Sequence, residues 1–287
     1  MVYAPVPWNQ WLVIYFVVIG IASGITLVGS LLDLGGTARS RVVELCASYI
    51  SLFALVIAGA ILVIDLGRPE RFWMMLAGFP NPTSPMTWGA KLLALKGLLL
   101  FYQAYLIRGA LAAEAAGLEL NGPGVRVANA ITHALLQGVS LALAIYPAFL
   151  LSRTWVSPLS RTPAAALLFL VSALLLGVAV WLLLSRLISA SQVSEQLFRA
   201  MNVLLLLEVS TLGFQWLLLR SDASPSFVRR ALETPAAVAC AVAVAISFVF
   251  PLLSRLLMSR SRHVAAFNAA AIAIGAVGVR YLLFAGR

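Results

Sequence analysis

The sequence predicts an all-α membrane protein with eight transmembrane helices, packed as two four-helix bundles in one integral membrane domain, 1–287. Of the 287 residues, 62% are hydrophobic and 10% are charged, against roughly 25% charged in a soluble domain. Apolar runs of about 20 residues, the length that crosses a bilayer, recur along the chain. A soluble fold of this size could not bury so much apolar surface, so the composition excludes soluble classes of function.

The apolar runs are separated by short segments that hold most of the charged residues. Short connections predict that neighbouring helices pack antiparallel. An even number of spans places both termini on one face of the membrane, here called side A; the opposite face is side B. The predicted spans are residues 10–33, 42–65, 86–108, 127–151, 164–188, 199–219, 235–258 and 264–285.

The net charge of +10 is spread over the helix ends. Basic side chains at such positions reach the phosphates of membrane lipid. No basic stripe lies on a polar domain, so nucleic acid is not an expected partner. Arginines divide almost evenly between the two sides, so the positive-inside rule does not orient the chain. Cys46 and Cys240 lack the spacing of a disulfide framework or a metal site, and no metal is expected in this chain.

The connection between the second and third spans is longer than the others. Residues 66–85 are rich in proline, charge and aromatic side chains, which predicts a structured interfacial loop. Trp73 and Trp88 suit the headgroup level. A plain connector needs only a few residues, so the length indicates a docking surface or a site lid. An interfacial aromatic belt is the alternative.

The histidine count argues against haem. His133 lies within the fourth span, and His263 lies at the start of the eighth. A bis-histidine haem needs paired axial ligands from different helices. A single histidine inside the membrane cannot supply them, so a chain without haem is predicted.

Two helices have a polar stripe on one face, because their polar residues are three or four positions apart. The fourth has Asn129, His133, Gln137 and Ser140, and the sixth has Glu208, Thr211 and Gln215. The stripes could form a proton path from side B towards side A, or hydrogen bonds that hold helices together. Glu208 favours the first interpretation, since a carboxylate in the middle of a membrane is costly.

Polar and ionisable residues also gather near the side-A helix ends. They are Asn9, Gln10, Asp65, Lys91, Lys96 and Arg280. Tyr15 and Tyr146 lie one or two turns inside the same face. A tyrosine hydroxyl beside such groups could bond a quinone carbonyl; the alternatives are an interfacial anchor for each tyrosine and a snorkelling cation for Arg280. Gly20 and Gly24 form a GxxxG pair that predicts close helix packing.

Two stretches resemble a known family signature. They are Asp-Leu-Gly-Arg-Pro-Glu-Arg-Phe-Trp at 65–73 and Pro-Asn-Pro-Thr-Ser-Pro-Met-Thr-Trp-Gly at 80–89. Both look like the signature of the NrfD/polysulfide-reductase membrane subunit family. Further similarity lies at 15–24, 146–158, 207–208 and 268–286, so the resemblance spans the whole chain.

The resemblance implies eight helices without haem, in the cytoplasmic membrane of a prokaryote. Such subunits exchange electrons between quinone (menaquinone or ubiquinone) and a four-cluster iron–sulfur subunit, often joined to a molybdopterin catalytic subunit. The quinone site lies near the face that binds the iron–sulfur chain, which here would be side A. The family's quinone contacts on helices 1 and 4 correspond to Tyr15 and Tyr146.

On this basis we expect three groups of functional residues. The quinone group is Tyr15, Tyr146, Asn9, Gln10, Asp65 and Arg68. The partner-docking group is Arg68, Glu70, Arg71, Phe72, Trp73 and Trp88. The proton-transfer group is His133, Glu208 and Arg280. Two other functions remain open: a secondary transporter or proton channel, suggested by the polar stripes, and a passive membrane anchor.

Overall fold

The computed structural model describes residues 11–34, 40–65, 84–117, 122–153, 162–187, 191–222, 235–257 and 262–285. Within these ranges all regular secondary structure is α-helical, which confirms the all-α prediction. The eight helices are α1 (Trp11–Leu34), α2 (Arg41–Asp65), α3 (Pro85–Ala115), α4 (Pro123–Arg153), α5 (Pro163–Leu187), α6 (Ser191–Asp222), α7 (Pro235–Leu257) and α8 (Arg262–Ala285).

Proline begins four of these helices: α3, α4, α5 and α7. It is tolerated there because a first-turn N–H has no partner inside the helix. Helix α3 ends before Gly117, whose φ of 69° is left-handed and favours glycine. Helices α3, α4 and α6 are longer than predicted, because their polar ends stay helical beyond the apolar stretch from which each span was predicted.

Helix α1 is the centre of the structure. It packs against α2, α4, α5 and α8. Helices α1 to α4 close a ring, since α2 also packs on α3 and α3 on α4. In the second half, α5 packs on α6 and α8, and α8 packs on α7. Contacts of α1 with α5 and α8, and of α4 with α5, join the halves.

The crossing of α1 and α5 depends on two glycines. A Cβ on Gly24 would overlap the backbone oxygen of Ala173, and a Cβ on Gly177 would overlap the backbone of Gly24. Trp181 of α5 then donates its indole N–H to the backbone oxygen of Ile25, at 2.8 Å. The close packing predicted for Gly24 is confirmed, and it lets side chains of α5 reach the backbone of α1.

The outer surface suits lipid. Phe53 on α2, Leu98 and Tyr105 on α3, and Leu206 on α6 are each at least 68% exposed. Six helices are long and apolar enough to cross a membrane; α7 and α8 have shorter apolar stretches, Ala241–Pro251 and Ala266–Tyr281, within the described residues. Apolar side chains on the outside of several long helices indicate a multi-pass membrane protein. Helices suit this environment, since all their backbone hydrogen bonds can be made within the helix in lipid.

Candidate functional site

Tyr15 and Tyr146 lie in the same buried cluster. Tyr15 is on the second turn of α1 and 1% exposed; Tyr146 is in the last third of α4 and 5% exposed. The two are near enough to interact electrostatically. Among the described residues, the Tyr15 hydroxyl has no hydrogen-bond partner. A buried polar group left in this state costs about 1–3 kcal/mol, so a ligand oxygen here would be stabilised.

Gly89 of α3 completes this arrangement. A Cβ on Gly89 would overlap the ring and the hydroxyl of Tyr146, so that side chain lies directly against the α3 backbone. Gly89 is the last residue of the 80–89 motif, and Trp88 beside it is 47% exposed. The 80–89 motif therefore contacts the tyrosine pair at Gly89, where the absence of a side chain leaves room for Tyr146.

The other predicted side-A residues divide into three groups. Asp65 is partly exposed at the end of α2. Lys96 was expected near a side-A helix end, and this was wrong: it is fully buried in α3 and bonds the middle of α1. The sequence does not reveal this, because the burial of Lys96 depends on its partners Ala22 and Ser23 on another helix, α1. The following predicted residues lie outside the described residues: Asn9, Gln10, Arg68, Glu70, Arg71, Phe72 and Trp73.

Arg280 of α8 occupies the junction between the two halves. It is 1% exposed, and its guanidinium lies over Gly20 of α1, where any Cβ would overlap it. Its Cζ is 5.9 Å from the ring centroid of Phe169 in α5, close enough for a cation–π interaction. Gly20 thus makes room for a cation, while Gly24 makes room for a helix.

Glu208 of α6 is the acidic group that faces Arg280. It is 2% exposed and interacts electrostatically with Arg280. Among the described residues, one carboxylate oxygen of Glu208 and two guanidinium nitrogens of Arg280 lack hydrogen-bond partners. Buried polar atoms without partners are rare, and ionisable groups inside a membrane commonly belong to a functional site.

His133 meets an acidic residue that sequence analysis missed. Its Nε2 is 3.6 Å from Glu44 Oε1 of α2, and Gln103 Nε2 of α3 donates to the same oxygen at 3.3 Å. The interaction joins three helices. Glu44 resembled an ordinary charge at a helix end, but Glu44, Ser48 and Ser51 are four and three residues apart and so share one face of α2. That spacing was the available signal.

Two cavities adjoin this cluster. One has a volume of about 350 Å³ and is lined by α2, α3 and α4, including Arg41, Arg126 and Asn129. The other, of about 30 Å³, lies deeper and includes Ser48 and Ser51. Glu44, Gln103 and His133 line both. Both lie in the halves of their helices nearer side B, whereas Tyr15 and Tyr146 lie in the halves nearer side A.

A family model describes almost the entire chain: the polysulphide reductase NrfD family matches residues 2–286. The chain belongs to the NrfD family. This confirms the resemblance drawn from residues 65–89. It also means that the tyrosine pair, the buried Arg280 and the polar cluster around Glu44 belong to one family domain.

Two relatives share shorter segments with this NrfD protein. A selenate reductase subunit of Mesobacillus selenatarsenatis is 30% identical over 81 residues, 28% of this chain and 19% of the relative. A putative dimethyl sulfoxide reductase membrane subunit of Halobacterium salinarum is 26% identical over 114 residues, 39% of this chain and 26% of the relative. The aligned segments thus span about a quarter or less of these relatives.

Proposed function

We propose that this chain is the membrane subunit of a respiratory oxidoreductase complex, and that it exchanges electrons between quinone or quinol and a docked iron–sulfur subunit. The observation that carries the proposal is the buried pair Tyr15 and Tyr146, with one hydroxyl unpartnered among the described residues. Membership of the NrfD family supports it. So do two relatives named as reductase subunits.

In this proposal the protein residues bind and orient, and they move protons. A bound quinol supplies two electrons and two protons on oxidation, and a quinone takes them up. Tyr15 and Tyr146 donate hydrogen bonds to the quinone oxygens, in an apolar cluster that excludes bulk water. Asp65, at the end of α2, lies at the side-A end of the same half. Glu208, Arg280 and His133 are the proposed proton-transfer groups.

The docking partner is proposed to bind at side A. Trp88 is the described member of the docking group, and its exposed ring at the start of α3 suits a contact surface. Arg68, Glu70, Arg71, Phe72 and Trp73 are proposed to complete it. The partner would be a four-cluster iron–sulfur protein joined to a molybdopterin enzyme, and this chain would contain neither haem nor metal.

We further propose that all eight helices span the cytoplasmic membrane of a prokaryote as two four-helix bundles. The closed ring of α1 to α4 supports the first bundle. Helices α7 and α8 have 23 and 24 residues, which is enough to cross a bilayer core of about 30 Å at 1.5 Å per residue.

A secondary transporter fits the described helices less well. Transporters of this size commonly bind their substrate at broken helices near the bilayer midplane. The two deep prolines, Pro147 and Pro251, lie within continuous helices α4 and α7. A passive anchor would not need a buried tyrosine hydroxyl that lacks a hydrogen-bond partner among the described residues. The quinone proposal therefore explains the tyrosine pair better than a passive anchor does.

Photolabelling with an azidoquinone tests the site. In native membranes, we expect labelled peptides to come from α1 around Tyr15 and from α4 around Tyr146, with labelling suppressed by excess unlabelled quinone. Mass spectrometry of the digested chain locates the label. Suppressible labelling confined to the side-B cavity would contradict the site, and uniform labelling that excess quinone does not suppress would favour a passive anchor.

A further inference from the structure

The polar interior of α1 to α4 is not used by the tyrosine pair. Its widest part is the 350 Å³ cavity, with Arg41 and Arg126 near its mouth. Liquid water occupies about 30 Å³ per molecule, so the space is enough for roughly ten waters. Charged and polar groups from three helices line it beside apolar side chains such as Leu106 and Val125, so water can be held at its polar side.

The cavity narrows at the Glu44, Gln103 and His133 cluster. These three side chains separate the wide cavity from the deeper one of about 30 Å³, which is about the space of a single water. Asp33 of α1 also lines the deeper space. Two titratable groups 3.6 Å apart, with a cavity on each side, form an arrangement through which protons can be relayed if water fills the cavities.

Lys96 does not line the deeper cavity, but it shares a hydrogen-bond acceptor with a residue that does. Ser51 lines that cavity and donates to the backbone oxygen of Ala22 at 2.9 Å. Lys96 Nζ donates to the same oxygen at 2.8 Å and lies 3.5 Å from Ser23 Oγ, so both oxygens that it meets are neutral. Lys96 is 0% exposed. A buried ammonium held only by neutral groups is costly unless it can exchange its proton.

We propose that α2, α3 and α4 enclose a water-filled proton inlet that opens on side B and ends at Lys96. An O–H bond of hydronium in side-B water would break, the proton would pass through the Glu44–His133 pair and the water beside Ser48 and Ser51, and an N–H bond would form at the neutral amine of Lys96. Lys96 would release the same proton on the return step, so no electron or other group is transferred.

The position of Lys96 connects the inlet to the rest of the molecule. Along α1, Ala22 lies two residues from Gly20, where the Arg280 guanidinium is packed, and seven residues from Tyr15. At 1.5 Å per residue, the rise from Ala22 to Tyr15 is about 10 Å. The inference rests on the proposed function in one respect: quinone chemistry at the tyrosine pair is what consumes or supplies the protons.

A purely structural role for Lys96 makes a different prediction. If the amine only satisfies the Ala22 oxygen, the space around Ser48 need not contain water. Cysteine labelling separates the two cases and does not depend on quinone activity. Cys46 and Cys240 are first replaced by alanine in the full chain, and Ser48→Cys is compared with Tyr49→Cys, whose native side chain is 41% exposed on the outer surface.

Silver ion, a thiol reagent of about the size of a water molecule, is added to sealed vesicles of each orientation, and the thiols left unmodified are labelled with a maleimide after denaturation. We expect Ser48→Cys to react at least tenfold faster than Tyr49→Cys, and only when the reagent is on side B, because thiolates form in water and not in lipid. Equal, slow reaction of both variants would overturn the inlet. So would faster reaction of Ser48→Cys from side A.

Proton uptake tests whether the inlet is used. The whole complex is reconstituted in liposomes with a pH dye on side B, and quinone-linked turnover is started. We expect Lys96→Met and Glu44→Gln to lower the side-B proton exchange at least fivefold, while Glu195→Gln, an exposed acid paired with Arg199 on α6, leaves it unchanged.

The two failures are distinguishable. Normal turnover with unchanged side-B proton exchange in both Lys96→Met and Glu44→Gln would overturn the inlet and leave the quinone site standing. Absence of quinone-linked turnover in the unmodified complex would overturn the proposed function, and the labelling contrast at Ser48 would still decide the inlet. If Lys96→Met does not assemble, Glu44→Gln and the labelling give the answer.

Discussion

Replacing Tyr146 with phenylalanine is expected to lower quinone-linked electron transfer by about fivefold. The substitution keeps the ring that fills the buried cluster and removes only the hydroxyl proposed to bond the quinone oxygen. A hydrogen bond contributes about 1 kcal/mol, and 1.4 kcal/mol corresponds to a factor of ten. The measurement is kcat/KM for a quinol analogue with the membrane complex, alongside the yield of assembled complex.

A second variant displaces the Tyr146 hydroxyl while leaving Tyr146 itself in the sequence. Gly89→Ala should have a similar effect, because its Cβ would overlap the Tyr146 ring and displace it. Gly109→Ala, on the same helix α3, is the control, since no atom of the described residues lies within 4 Å of a Cβ there. If Tyr146→Phe and Gly89→Ala assemble normally and retain unaltered quinol kinetics, the role assigned to Tyr146 is wrong.

Gly24→Ala is expected to cause the largest loss of stability. Its Cβ would overlap the backbone oxygen of Ala173, and a backbone atom cannot move aside as a flexible side chain can. Overpacking of this kind costs about 1–3 kcal/mol, and here it would separate α1 from α5 at the junction of the two halves. The unfolding midpoint in detergent, followed by tryptophan fluorescence, should fall.

Gly138→Ala on α4 is the matched control for that loss. Within the described part of the chain, no atom lies within 4 Å of a Cβ at Gly138, and alanine is the better helix former by about 1 kcal/mol. Its midpoint should be unchanged or higher. Equal midpoints for the Gly24 and Gly138 variants would show that the α1–α5 crossing is looser than the structure describes.

The helices could be predicted because membrane spans depend on local properties. Apolar length, flanking charge and proline are all visible in a single sequence. Helix α2 ends at 65 and α7 begins at 235, as predicted. Helix ends were predicted least accurately where a polar segment continues the helix, as at the beginning of α6. The composition of a polar segment at a membrane surface does not distinguish a helix from a loop.

The candidate site could be predicted only in part, because it depends on which helices are neighbours. Family motifs indicated Tyr15 and Tyr146, and the structure places both in one cluster. The contact of Tyr146 with Gly89 could not be predicted without the packing of α3 on α4. Lys96 was placed at a helix end and Glu44 was missed for the same reason: each resembles a helix-end charge until its partners on other helices are known.

Electron exchange between quinone and a docked iron–sulfur subunit is the central claim, and one measurement tests it most directly. The intact complex is purified anaerobically, and the redox state of its clusters is followed by electron paramagnetic resonance after a quinol or quinone analogue is added. We expect rapid exchange in one direction, and exchange about fivefold slower in Tyr146→Phe. Clusters that exchange electrons with the analogue equally fast after this chain has been removed would contradict the claim.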